Sequence, residues 1–385
     1  MTEKKKTERQ GLIKKGGLAL TELALPFPLT AYSNYYKTTS DVLTRNEDTL
    51  RIRGINYDTG VNYDQTVWSR DFWHPEAVEH DMKIIALELG CTAVSIFGTK
   101  HERLREAAEL ALKQGLDVWL QPRLIEGTQA ATLKHLVETA IIAEELRSQY
   151  ENKITLNVGC ELSLFMKGIL PGKNFFGRMR GLMVYWIVMP IFNRKLNKYF
   201  RTACESARMH FNGPLVYSAG EWEGVDWTLF DYVGVDYYRE RLNASTYTNG
   251  LRKLKSYHKP VIITEFGCCS FKGAELKGGG GFMIVDWRKD SPTVKPGYVR
   301  DERVQADYIK SLVELYREEQ IDGAFVYAFS EPRNLHTDNS LTDLDMASYG
   351  VVKITLKETA ENPEVWKTKQ AFGSLAKLYR GKLLE

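Results

Sequence analysis

From about Arg51 onward, short runs of β-branched and aromatic residues alternate with segments of helical apolar spacing, eight times over. A strand that returns to its sheet through a helix lies parallel to its neighbour, so the pattern predicts a parallel sheet covered by helices. The strands are read at Arg53–Asp58, Cys91–Gly98, Asp117–Arg123, Ile154–Ser163, Pro214–Gly220, Tyr232–Tyr238, Pro260–Gly267 and Gly323–Pro332. One helix opens at Pro75 and sets Met82, Ile85 and Leu89 on one face; another, Thr128–Tyr150, sets Leu133, Leu136, Val137 and Ile141 at helical spacing. Asp301–Gln320 follows the seventh strand, and a closing helix is read from Asn362-Pro363-Glu364, a cap residue followed by proline at the first helical position. Eight such units over 51–385 predict a (β/α)₈ TIM barrel in a single domain, rather than an open sheet. Residues 1–50 are read as an arm that packs on the barrel.

Composition narrows the function. A chain of 385 residues with 43% hydrophobic and 26% charged residues is ordinary globular protein. A net charge of +3 is too small to argue for nucleic acid. The five cysteines are odd in number, and Cys268 and Cys269 are neighbours, so no disulfide framework follows and a reducing, cytoplasmic setting is expected. No Cys-x-x-Cys, His-x-His or His-x-x-x-His pair occurs, so neither a metal nor another cofactor is expected. The basic start MTEKKKTERQGLIKKGG precedes an apolar run, but Glu22 interrupts it, which favours an arm over a secretory leader. No stretch approaches the roughly 18 apolar residues of a membrane span.

Two glutamates stand where an apolar strand turns polar: Glu161 at the end of the fourth strand and Glu265 at the end of the seventh. A carboxylate there needs a partner, because an unpaired buried charge is costly. Either alone reads as a structural carboxylate paired with an arginine. Together, at the face where such barrels hold their sites, they read as a catalytic pair. Other strand ends offer groups that suit a sugar, with aromatic faces for C–H surfaces and polar groups for hydroxyls. These candidates are Asn56, Asp58, Arg123, Trp222, Asp236, Tyr237, Tyr238, Tyr327 and Glu331, with Trp287 on the excursion after the seventh strand. Each single aromatic is more readily explained by core packing; the charges at Asp58, Arg123 and Asp236 are less easily explained that way.

The strand-seven segment Thr264-Glu265-Phe266-Gly267, with Glu161 on strand four, resembles the clan A glycoside hydrolases. That resemblance implies Glu265 as nucleophile, Glu161 as acid/base, a tyrosine (Tyr237 or Tyr238) bonded to the nucleophile, and a carbohydrate substrate. Alternation lets only one of the two tyrosines point inward. It also implies retention, with carboxyl groups about 5–5.5 Å apart. An asparagine usually precedes the strand-four glutamate in those families; here the position is Cys160. Trp287 and the stretch Asp343–Gly350 are similar to uncharacterised bacterial proteins labelled abortive infection proteins, a label that names no reaction. The alternative to a retaining glycosidase or transglycosidase is thus a barrel that binds carbohydrate or a partner without turnover, as in phage defence. Cys160 leans toward the binder and the intact glutamate pair toward the enzyme.

Long excursions are expected after strands four and seven. The first holds eight basic residues between Lys167 and Arg201 and no acidic one, around the apolar run 181–192. Twelve residues cannot cross a bilayer as a helix. The segment reads as a hairpin or helix folded onto the barrel, as a peripheral membrane or protein contact, or as a substrate lid. The second contains Gly278–Gly281, read as a flexible loop rather than a phosphate cradle.

Overall fold

The computed structural model describes residues 50–381, apart from 64–66, 151, 288–290, 357–358 and 360–364. The expected arm, save Leu50, and the Asn362-Pro363-Glu364 cap lie outside the described residues. Eight strands close a barrel: β1 (Ile52–Asp58), β2 (Ala93–Gly98), β3 (Asp117–Pro122), β4 (Ile154–Cys160), β5 (Leu215–Gly220), β6 (Val233–Asp236), β7 (Val261–Phe266) and β8 (Gly323–Val326). Each pairs in parallel with its sequence neighbour, and β8 returns to β1 through Ile52↔Gly323 to Ile55↔Val326.

The helices are α1 (Pro75–Leu87), α2 (His101–Lys113), α3 (Gln129–Gln149), α4 (Leu162–Phe165), α5 (Phe175–Tyr185), α6 (Met189–Arg208), α7 (Tyr247–Lys255), α8 (Glu302–Glu318) and α9 (Gln370–Arg380). Pro75 sits in the first turn of α1, where its missing N–H costs nothing, and Thr128 caps α3 by accepting from the Ala131 N–H. Met82, Ile85 and Leu89 are fully buried as the spacing predicts, whereas Ile141 of α3 is 40% exposed and Ala140, Ala143 and Leu146 face the barrel instead.

Two elements differ from the sequence reading, and the two long excursions take definite form. The β5–β6 connection carries only a 3-10 turn, Trp227–Leu229, in place of a helix; the Lys259 ammonium holds it by donating to the carbonyls of Trp227 and Phe230. The closing helix begins at Gln370, because Val365–Thr368 forms a strand against Val352–Leu356 and Trp366 donates to Asp81 at 2.9 Å. The excursion after β4 is largely helical, holding α4, α5 and the start of α6. That after β7 holds two 3-10 turns and a short hairpin, Val285–Asp286 with Thr293–Val294. Its glycine run is held in place: the Tyr349 hydroxyl donates to the Gly278 carbonyl at 2.7 Å and accepts from the Gly281 N–H at 2.9 Å.

The lumen is graded along its length. Ala93, Trp119, Val216, Ile262 and Phe325, from five strands, form one apolar cluster, with Trp119 and Phe325 ring centres 4.9 Å apart. Nearer the carboxyl ends the inward groups are polar, and a buried polar layer must bond to itself. Asn157 donates to Ser218 at 2.7 Å, Thr264 donates to Asp236 at 2.7 Å, and Asn56 donates to the Thr264 carbonyl at 3.0 Å.

Candidate active site

Two strands lose their regular alternation where they reach the mouth. Between Asn157 and Cys160, β4 advances three residues while β5 advances two, from Val216 to Ser218. Beside it, β7 advances from Ile263 to Glu265 while β6 advances only from Val235 to Asp236. Such bulges re-aim side chains. Asn157 and Cys160, of opposite parity, both turn into the lumen, and so do the consecutive Thr264 and Glu265.

The result is a buried cluster. Arg123, just past β3, donates to Glu265 at 2.7 Å, and the two side chains are 3% and 9% exposed. The same guanidinium donates to Gln121 at 2.9 and 2.6 Å and to the Tyr63 hydroxyl at 3.2 Å, and lies 4.1 Å above the Phe97 ring centre. The Tyr238 hydroxyl donates to the other Glu265 oxygen at 3.2 Å. The Cys160 thiol stands between two carboxyl groups, 3.3 Å from Asp236 and 3.7 Å from Glu265. The sulfur and one oxygen of each carboxyl lie within 4.8 Å of one another, a set with the donor chemistry for a divalent cation, but Arg123 already neutralises Glu265.

Glu161 follows β4 as the residue that caps α4, with a left-handed backbone (φ 41°). Its N–H donates to the Ser218 carbonyl at 2.9 Å, and its own carbonyl accepts from Leu164 and Phe165. Among the described residues, no hydrogen bond reaches its carboxyl group. Burial raises its pKa well above the usual carboxylate value, and the negative charges of Asp236, Glu265 and Glu223 add to the shift. Asp236 is raised too, by burial first and by Glu265 second, against the lowering pull of Thr264 and Arg123. Burial likewise lifts the Cys160 thiol, so it is a neutral donor to its two neighbours.

The structure therefore brings Glu161, Glu265, Arg123, Asp236 and Tyr238 to one place. Asn56 joins through Thr264, and its buried Oδ1 has no partner among the described residues. Tyr327 lies at the end of β8, before a non-prolyl cis peptide to Ala328, and stacks on Phe97 with centroids 5.8 Å apart. Trp222 packs in the apolar cluster that includes Cys160 and Phe97, and donates to Ser163 at 2.9 Å. Asp58 accepts from the Gly60 N–H at 2.7 Å and so shapes its own turn; burial raises its pKa, opposed by that bond and by the charges of Arg70 and Arg123.

The other candidates lie elsewhere. Tyr237 stacks on Tyr247 of α7, with ring centres 4.3 Å apart, so of the two adjacent tyrosines Tyr238 is the one directed inward. Trp287 is 37% exposed on the far excursion and donates to the Phe282 carbonyl at 3.3 Å. Glu331, pushed up to about 7 by burial, accepts from the Tyr349 N–H at 2.6 Å and braces the loop after β8. Three members of the cluster escaped the sequence reading as site residues. Cys160 appeared only as a departure from a motif. Tyr63 lies in a loop with no periodicity to mark it. Thr264 was hidden because regular alternation cannot turn it and Glu265 inward together.

No protein-family model matches this chain, and no curated protein matches it. Solved structures do. A GH113 β-1,4-mannanase superposes with a TM-score of 0.55 at 14% identity, over 88% of this chain and 100% of that one. A GH113 β-mannanase from Alicyclobacillus acidocaldarius gives 0.52 at 16%, over 86% and 97%. The β-glucuronidase of Parabacteroides merdae gives 0.52 at 11%, over 88% of this chain and 41% of that one. At such identities the likeness is one of fold: this chain is a (β/α)₈ barrel of the kind on which these glycoside hydrolases are built.

Proposed function

We propose that the protein is a retaining glycoside hydrolase or transglycosidase. The observation that carries this reading is the unequal treatment of two carboxyl groups at one mouth. Glu265 is ion-paired with Arg123 and bonded by Tyr238, which suits a carboxylate nucleophile. Glu161 has no hydrogen-bond partner for its carboxyl group among the described residues and is lifted by burial and by the negative charges around it, which suits a proton donor. In the first step a Glu265 oxygen bonds to the anomeric carbon while the glycosidic C–O bond breaks. The Glu161 proton goes to the leaving oxygen. In the second step Glu161 takes a proton from water, whose oxygen displaces Glu265 from the same carbon.

Fold likeness to mannanases and a glucuronidase makes aryl β-mannosides, β-mannan oligosaccharides and aryl β-glucuronides the first substrates to try. The test is a panel of aryl glycosides and oligosaccharides, with intact-mass detection of a glycosyl adduct that maps to the peptide bearing Glu265. Turnover by Glu265→Gln equal to wild type on any substrate found would refute the assignment.

A second reading is favoured by how completely the cluster satisfies itself. Arg123, Cys160, Asp236 and Glu265 are each less than a tenth exposed, and bond one another. A barrel that binds carbohydrate or a partner without turnover would keep that closed network. Undiminished ligand binding by the Glu161→Gln/Glu265→Gln double variant, with no turnover by wild type, would establish it.

A further inference from the structure

The excursion after β4 presents a face that the barrel does not use. Its inner side belongs to the site: Leu164, Phe165, Leu170 and Met189 pack in one cluster with Cys160 and Phe97. Arg178, with no exposed surface, clamps α5 to the barrel through both oxygens of Glu126, at 2.9 and 3.1 Å. Its outer side is apolar and open to solvent. Phe176 is 44% exposed, Val184 71%, Ile187 70%, Val188 37% and Ile191 52%. Val184 lies in the last turn of α5, Ile187 and Val188 in the 3-10 turn Trp186–Val188, and Ile191 in the first turn of α6, so the open apolar side chains span the α5–α6 junction. A cluster of large apolar side chains this exposed is unusual on a soluble protein and marks a contact surface.

The charges around it say what kind. From Leu162 to Cys204 the sequence contains no aspartate or glutamate. Arg180 on α5, before this apolar stretch, and Arg194, Lys195 and Lys198 on α6, after it, are exposed. Lys167 and Lys173 are exposed beside it. Among the described residues, none of these six cations is paired with a carboxylate. Protein interfaces are depleted in lysine, and a protein partner gives no reason to exclude every acid from 43 successive positions. An anionic lipid surface explains both features: apolar side chains enter the headgroup boundary while the surrounding cations meet phosphate.

We infer that α5 and the first turns of α6 form a docking face for an anionic membrane surface. No helix of the described residues is long and apolar enough to span a membrane, so the contact is peripheral. Because the inner side of the same segment packs against Cys160 and Phe97, docking sets the carboxyl-end mouth of the barrel close to the bilayer.

The test is flotation of the full chain with phosphatidylcholine vesicles, with and without phosphatidylserine. Binding only to the anionic vesicles is expected, falling steeply with salt as the screening length shrinks from about 10 Å at 0.1 M to about 3 Å at 1 M. Arg194→Gln, Lys195→Gln and Lys198→Gln should each weaken binding about fivefold. The triple variant Val184→Ser, Ile187→Ser, Ile191→Ser should abolish it and leave the urea midpoint unchanged, since all three side chains already face water. Equal binding to both vesicle types, or none to either, would overturn the proposal. So would a concentration-dependent dimer, seen by light scattering, that the triple variant dissociates, because the face would then belong to a second copy of the chain.

Discussion

The Arg123 guanidinium meets the Glu265 carboxylate at 2.7 Å across the barrel mouth, from just past β3 to β7, with both side chains nearly sealed from solvent. A pair this buried is a poor source of net stability while intact and a severe liability when halved, since the survivor keeps an uncompensated charge. Arg123→Met is therefore expected to destabilise the barrel by about 3–5 kcal/mol in urea titration. Arg123→Lys should rescue little, because one ammonium cannot serve Gln121, Tyr63 and Glu265 from above the Phe97 ring. A loss below about 1 kcal/mol for Arg123→Met would mean that Glu265 is held by other groups.

Removing the proposed acid should give a signature that removing a structural carboxylate cannot. Glu161→Gln is expected to lower turnover of substrates with poor leaving groups by about 10²–10⁴-fold. Activated aryl glycosides, which depart without protonation, should lose far less in the glycosylation step. Added azide should restore their turnover and yield a glycosyl azide of retained configuration, because a small anion needs no general base. A uniform loss across leaving groups, without azide rescue, would remove Glu161 from the chemistry.

How much of this was legible in the sequence follows from which physical rule fixed each part. The barrel was, because strand and crossover periods are set by burial and recur eight times. Glu161 and Glu265 were marked as candidates because an apolar strand ending in a carboxylate needs a partner, and for Glu265 that partner is Arg123. The inward turn of Thr264 beside Glu265, and of Cys160 after Asn157, was not: both depend on bulges, which break the alternation that sequence reading relies on. The strand at Val365–Thr368 was missed for a different reason. Its pairing partner lies at Val352–Leu356 and its tryptophan bonds Asp81, contacts that no local pattern announces. Tyr349 appeared in the sequence only as part of a similarity, yet it fixes the glycine run that composition marks as flexible.

Asp236 should make the fold less stable as pH rises. Its folded pKa is raised above the unfolded value, so its contribution is fully present below the ordinary 3.8 and is lost as pH climbs through the raised folded value. Asp236→Asn keeps an oxygen for the Thr264 hydroxyl and never ionises. The variant is expected to gain on wild type in urea midpoint from acid toward neutral pH. A difference between the two that does not change with pH would show that Asp236 titrates normally.

His135, bonded to Thr99 just past the end of β2, should act with the opposite sign. It belongs to α3, is 9% exposed, and its Nε2 lies 2.7 Å from the Thr99 carbonyl, a contact the neutral ring makes by donating from that nitrogen. Burial lowers its pKa from 6.5 to about 4, opposed by that bond and helped by His101, whose ring centre is 4.3 Å away. The unfolded chain therefore takes up a proton near pH 6.5, which the folded chain refuses until about pH 4. Stability contributed by neutral His135 is present above the unfolded value and is lost as pH falls through this window. The slope reaches about 1.4 kcal/mol per pH unit, and the total is on the order of 3 kcal/mol. His135→Gln retains an N–H for Thr99 but has nothing to titrate. Urea midpoints of the variant should fall less than those of wild type between about pH 7 and about pH 4, and an NMR titration of wild type should find the His135 ring neutral at about pH 5. If the two proteins lose stability in parallel, or if the ring protonates near 6.5, the acid sensitivity belongs to other groups.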